Sequence, residues 1–103
     1  MYQERLKRFD EIISICEGIE RKGKTMPYSS SNSRMFCLLN KAGEIGVRLS
    51  KEAQTKYKES IGAEIFHSYG AVMKDYIKIP EDHLGNDALM KQIFEEGLQF
   101  IQR

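Results

Sequence analysis

Tryptophan is absent from this chain of 103 residues, and cysteine, histidine and proline occur only twice each. Two cysteines without metal-ligand spacing exclude a disulfide framework and a zinc-ribbon arrangement. Cys16 falls on an expected helix and Cys37 on an expected strand, where both read most simply as small buried hydrophobes; a redox pair is the sharper alternative. His67 and His83 stand alone, neither beside a cysteine nor in an i, i+4 pair, and metal centres need several convergent ligands. A Cys37–His67 nucleophile–base pair would need the fold to join them. No apolar run approaches the roughly 18 residues of a membrane span. The start Met-Tyr-Gln-Glu-Arg lacks the apolar core of a signal peptide, so the expectation is a cytoplasmic protein without a membrane partner. Charge of one sign is missing too: sixteen basic residues against fifteen acidic leave +1, too little for the whole molecule to be steered toward nucleic acid.

What the chain does contain is enough apolar material for one core, with 41% hydrophobic residues in a length that suits a single domain over residues 1–103. The densest part is residues 33–49. Strand side chains alternate across a sheet, which sets Met35, Cys37 and Leu39 on one face and Phe36 and Leu38 on the other. Lys41, Ala42 and Gly43 suit a three-residue turn. That turn pairs Leu39 with Ile45, Cys37 with Val47 and Met35 with Leu49, and it leaves Phe36 beside Arg48. The face carrying Phe36, Leu38, Arg48, Tyr76 and Lys78 would then be open, and an exposed apolar patch of this kind marks an interface. Arg48 either solvates that face or anchors a partner.

Around this hairpin the periodicity is helical at each end. Leu6, Phe9, Ile12, Ile13 and Cys16 mark a helix over residues 2–17, ended by Gly18 and Gly23. Ser50 reads as the N-cap of a second, half-exposed helix running to about residue 60, with Glu52 in its first turn and Gly62 at its end. Residues 63–69 look irregular, with a short edge strand near Ile65 and Phe66. Residues 72–79 alternate as a strand, with Met73, Ile77 and Ile79 on one side, Asp75 near an edge and Pro80 as terminator. Gly85, Asn86 and Asp87 open a last helix through Leu89, Ile93, Phe94, Leu98 and Ile101. Helix, hairpin, helix, strand, helix predicts an α+β domain, a two-layer sandwich with a mainly antiparallel sheet and helices on one face.

One formal motif occurs. Gly18 to Thr25 fits G-x-x-x-x-G-K-[ST], which needs a strand before it and a helix after it. Here a helix precedes it and a Ser-rich loop over residues 26–33 follows, so the match reads as coincidence, although a nucleotide site at Lys24 remains the outside alternative. Arg21, Lys22, Lys24 and Arg34 form a local basic cluster, either a solvated connection or, with Arg48, Lys74 and Lys78, a nucleic-acid contact. The acidic pairs Glu81-Asp82 and Glu95-Glu96 sit where they complement solvent and helix ends rather than act as acid and base. No catalytic or metal-binding set is complete, and no cofactor is expected.

Three segments carry a resemblance: Arg34 to Cys37, the Gly-Glu-Ile-Gly-Val-Arg-Leu-Ser run from Gly43 to Ser50, and the Gly-x-x-Met segment from Gly70 to Pro80. Together they resemble the TfoX N-terminal domain family over most of the chain from about residue 24. Cys37 stands where the family often has glycine after Met-Phe, and Gly70-Ala71-Val72-Met73 replaces its Gly-Arg-Pro-Met. The resemblance implies a compact α+β fold without enzymatic activity, here as a stand-alone domain without the helical second domain of full-length TfoX proteins, which regulate competence. The functional expectation is a regulatory or protein-interaction domain whose partner is a second copy (a homodimer) or another protein. A nucleic-acid-binding regulator is the alternative.

Overall fold

The computed structural model describes residues 2–23, 27–31, 34–68 and 70–102. The elements run α1 (Tyr2–Ile15), β1 (Tyr28–Ser31), β2 (Arg34–Leu39), β3 (Ile45–Arg48), α2 (Lys51–Ile61), β4 (Glu64–Ser68), β5 (Ala71–Lys78), a short 3-10 turn (Glu81–His83) and α3 (Asp87–Gln102). The strands form one antiparallel sheet in the order β1-β2-β3-β5-β4. This is an α+β fold, as its periodicities predict.

The β2–β3 turn forms as expected. Leu39 pairs with Ile45 and Cys37 with Val47, and the turn is closed by Asn40 N–H donating to the Glu44 carbonyl at 3.0 Å. Gly43 sits at φ +82°, a conformation open to glycine because it has no Cβ to clash. The expected Met35–Leu49 pair is absent from the ladder, which ends at Cys37–Val47; Leu49 N–H instead reaches the Asp75 carbonyl on β5.

The cause lies one strand over. Ser29 pairs with Cys37, but the next residue, Ser30, pairs with Met35. Phe36 is therefore the extra residue of a β-bulge, and a bulge resets the alternation of side chains beyond it. Phe36 and Cys37 both enter the larger core, while Met35 turns to the opposite face with Leu38. β1 itself falls in the Ser-rich segment read from sequence as loop. Its Ser29 is buried with its hydroxyl donating to the Glu20 carbonyl at 2.6 Å, so a polar strand residue is enclosed without an unmet hydrogen bond.

All three helices contribute to the larger core, where Phe9, Ile12, Phe94 and Ile101 meet Phe36, Val47 and Ile77. Phe9 and Phe94 bring α1 against α3 with ring centroids 6.0 Å apart. Gly97 lets α3 approach the sheet: a Cβ there would stand 2.8 Å from Val47 Cγ1 and 3.0 Å from the Arg48 carbonyl oxygen. Below the sheet, Leu38, Phe66 and Tyr76 form a second, smaller core bordered by Tyr28, Met35 and Met73, with no helix residue in it. Met73 thus lies with Tyr76 rather than with Ile77 and Ile79, a second departure from simple alternation.

Candidate interaction surface

The second face is closed by the sheet itself. β4 advances from Ile65 to His67 while its partner β5 runs from Ile77 to Val72, so the surplus residues of β5 bend the pair. Asn40 Nδ2 donates to the His67 carbonyl at 2.8 Å, tying the far end of β4 to the β2–β3 turn. The Phe66 ring then lies on bare backbone at Gly46, where an added Cβ would be 2.5 Å from it. It stacks on Tyr76 at 6.0 Å, and the Tyr76 hydroxyl donates to the Met35 carbonyl at 2.7 Å.

This placement corrects the open-face expectation for three of its residues. Phe36 and Leu38 are 0% exposed and in different cores, and Tyr76 is 8% exposed. Phe36 is covered by α3, its ring 3.2 Å from where a Cβ on Gly97 would stand. Arg48 pairs with Tyr76 across β3 and β5. Its guanidinium meets Asp75 at 3.4 Å and lies 6.0 Å from the Phe100 ring centroid. Lys78 is engaged with Glu44 at 3.0 Å. The hydrogen bond from Asn40, together with Lys78, holds the Glu44 carboxyl below its ordinary range against the effect of its partial burial. Asp75, expected near an edge, belongs to an interior strand.

The basic cluster is largely occupied by local contacts. Arg21 pairs with Asp10 at 2.6 Å. Lys22 bridges to Tyr28 and donates to Ser30 Oγ at 3.1 Å. Arg34 is exposed at the start of β2. Lys24 and Thr25 lie outside the described residues, but the motif they complete follows α1, a helix where a phosphate loop needs a strand. Both cysteine thiols are buried and unpaired. Burial first, and then Glu95, pushes the Cys16 thiol up to about 11, and burial pushes the Cys37 thiol up as well, which disfavours the reactive thiolate. His67 is exposed on β4 and His83 lies in the 3-10 turn. Among the described residues no group of three His, Cys, Asp or Glu could hold a metal ion, and no helix is long and apolar enough to cross a membrane.

Exposed apolar surface is found elsewhere. Ser50 caps α2 by accepting from Ala53 N–H at 3.2 Å, and Gly62 ends it at φ +73°, which turns the chain straight into β4. One flank of α2 is fixed to α3. The Tyr57 hydroxyl donates to Glu96 Oε2 and accepts from Gln92 Nε2, both at 2.8 Å, and Lys56 meets Glu96 at 3.0 Å. Only Tyr57 of α2 is fully buried; on the other flank Gln54 Nε2 donates to the Leu49 carbonyl at 2.8 Å and to the Asp75 carbonyl at 3.4 Å, which ties the helix to β5 at one point. Between that flank and β4–β5 runs an open groove of about 470 Å³. Ile65 and Val72 line it at 65% and 51% exposure, and Lys51, Lys58 and Lys74 are exposed along it.

The sequence pattern alone does not mark Ile65 and Val72 as binding residues. The signal was the short edge strand at Ile65 and Phe66, but local pattern does not tell which of two adjacent apolar residues is enclosed. That choice is made by Gly46, on a different strand. Comparison with protein families, with characterised proteins and with solved structures finds no match to this chain.

Proposed function

We propose that this chain is a non-catalytic protein-interaction domain that works through the groove between α2 and the β4–β5 margin. The observation that carries this reading is the pairing of Ile65 and Val72 in one groove. They are two of the three large hydrophobic side chains exposed among the described residues, the third being Ile15 on α1. Clustered apolar exposure beside polar residues is characteristic of interaction sites, whereas single exposed hydrophobes need no explanation. The resemblance to the TfoX N-terminal domain family points the same way, toward a regulatory domain without enzymatic activity. The nucleic-acid reading has less support, because Arg21 and Lys78 are each held by a carboxylate.

The test compares the chain with its Ile65→Ser/Val72→Ser variant, each tagged and produced at natural level in its own cells. Both substitutions are on the surface, so melting should shift little, within about 0.5 kcal/mol of stability per site. In gentle extracts the unaltered chain is expected to elute in a complex larger than its 11.9 kDa, and the variant at the monomer position. A monomeric unaltered chain, or a variant that keeps the complex, would contradict the proposal.

A further inference from the structure

Resting on the groove as the interaction surface, we infer that its partner is an extended segment of another protein, apolar at its centre and acidic on either side, which adds as a strand to β4. β4 ends the sheet order, so no further strand is hydrogen-bonded to its outer edge among the described residues. The opposite edge is protected. Lys22 N–H and C=O bond Tyr28 at 2.7 and 3.0 Å, and Glu20 accepts from Ser29, so residues 20–22 lie along β1. Protein edges are commonly blunted by lysine, proline or a covering segment. β4 reads Glu-Ile-Phe-His-Ser, without lysine or proline. Its Ser68 end is occupied where Asn40 bonds the His67 carbonyl, which leaves the half around Ile65 as the place for an added strand. Strand addition draws affinity from main-chain hydrogen bonds and specificity from alternate side chains.

Charge selects the occupant. Lys51, Lys58 and Lys74 line the groove against one carboxylate, Glu64. None of these lysines is ion-paired to a described residue, whereas Lys56, Lys78 and Lys91 each are. A second copy docking by two-fold symmetry would set this lysine-rich face against itself, which like-charge contact penalises. A nucleic acid would pair its phosphates with these lysines but would leave the aliphatic side chains of Ile65 and Val72 without an apolar counterpart. A segment with alternate residues facing the groove, apolar in the middle and acidic at the flanks, satisfies both features.

The experiment titrates the whole chain into a fluorescein-labelled peptide with valine and isoleucine at two central groove-facing positions, glutamate on either side and threonine between. Companion probes are the same peptide with lysine for glutamate, a version N-methylated along one edge, and a single-stranded DNA. Saturable anisotropy is expected for the glutamate peptide alone. Lys58→Glu/Lys74→Glu should weaken that binding about tenfold or more without loss of fold, and should gain binding to the lysine peptide. Equal binding of both peptides would overturn the acidic assignment while leaving the groove as an interaction surface. Unimpaired binding of the N-methylated peptide would overturn strand addition. Tighter binding of DNA, or no response to any probe up to about 1 mM, would overturn the inference, and the extract comparison then decides separately whether the groove is an interaction surface at all.

Discussion

Gly46→Ala is expected to destabilise the fold by about 1–3 kcal/mol, the usual cost of forcing an extra methyl group into a packed core. The sign is what makes this informative. Glycine inside a strand is ordinarily worse than alanine by roughly 0.5–1 kcal/mol, so an alanine with free space would stabilise. Here the added Cβ would stand 2.5 to 2.7 Å from three carbons of the Phe66 ring, and that ring is fully buried in the smaller core. Removing the ring should remove the conflict. In a Phe66→Ala background, itself weakened, Gly46→Ala should be neutral or slightly stabilising. Urea unfolding of the four proteins measures the coupling. A neutral Gly46→Ala in the unaltered background would mean that Phe66 does not lie on β3.

The second large effect is at Phe36. Truncation to alanine should cost about 3–5 kcal/mol, as for other enclosed phenylalanines, and Phe36→Glu should leave the chain unfolded, because a carboxylate would be buried without a counter-charge. Simple alternation along β2 leads to the opposite expectation, a folded Phe36→Glu protein changed only in its association. Far-ultraviolet circular dichroism with temperature distinguishes the two. A Phe36→Glu chain that melts cooperatively near the unaltered midpoint would contradict the bulged register of β1 and β2.

These two positions also show where sequence reading succeeds and where it stops. Local chemistry was legible: the Lys41-Ala42-Gly43 turn, the Leu39–Ile45 and Cys37–Val47 pairs, the Ser50 and Gly62 caps of α2, and the stripe from Leu89 to Ile101 in α3. Each depends on residues close in the chain. The bulge at Phe36 depends on pairing with β1, a strand whose serines carry little strand signal, since their hydroxyls favour turns. Without that bulge Phe36 falls on the wrong face. Without Phe66 crossing to Gly46, the second face looks uncovered. Both facts are long-range, and they move the expected interface from the sheet centre, with Phe36, Leu38 and Tyr76, to the margin at Ile65 and Val72. Arg48, Lys78 and Arg21 were legible as charges but not as members of pairs, because Asp75, Glu44 and Asp10 reach them only in the folded chain.

Site-specific photo-crosslinking in cells decides whether partners meet the molecule in the α2/β4–β5 groove or on the self-covered second face. The same photoreactive residue is placed in turn at Ile65 in the groove, at Met73 on the rim of the smaller core and at Lys7 on the exposed side of α1. The prediction is a discrete crosslinked protein product from position 65 and none from 73 or 7. Products from position 73 with none from 65 would contradict the claim and return the interface to the second face of the sheet.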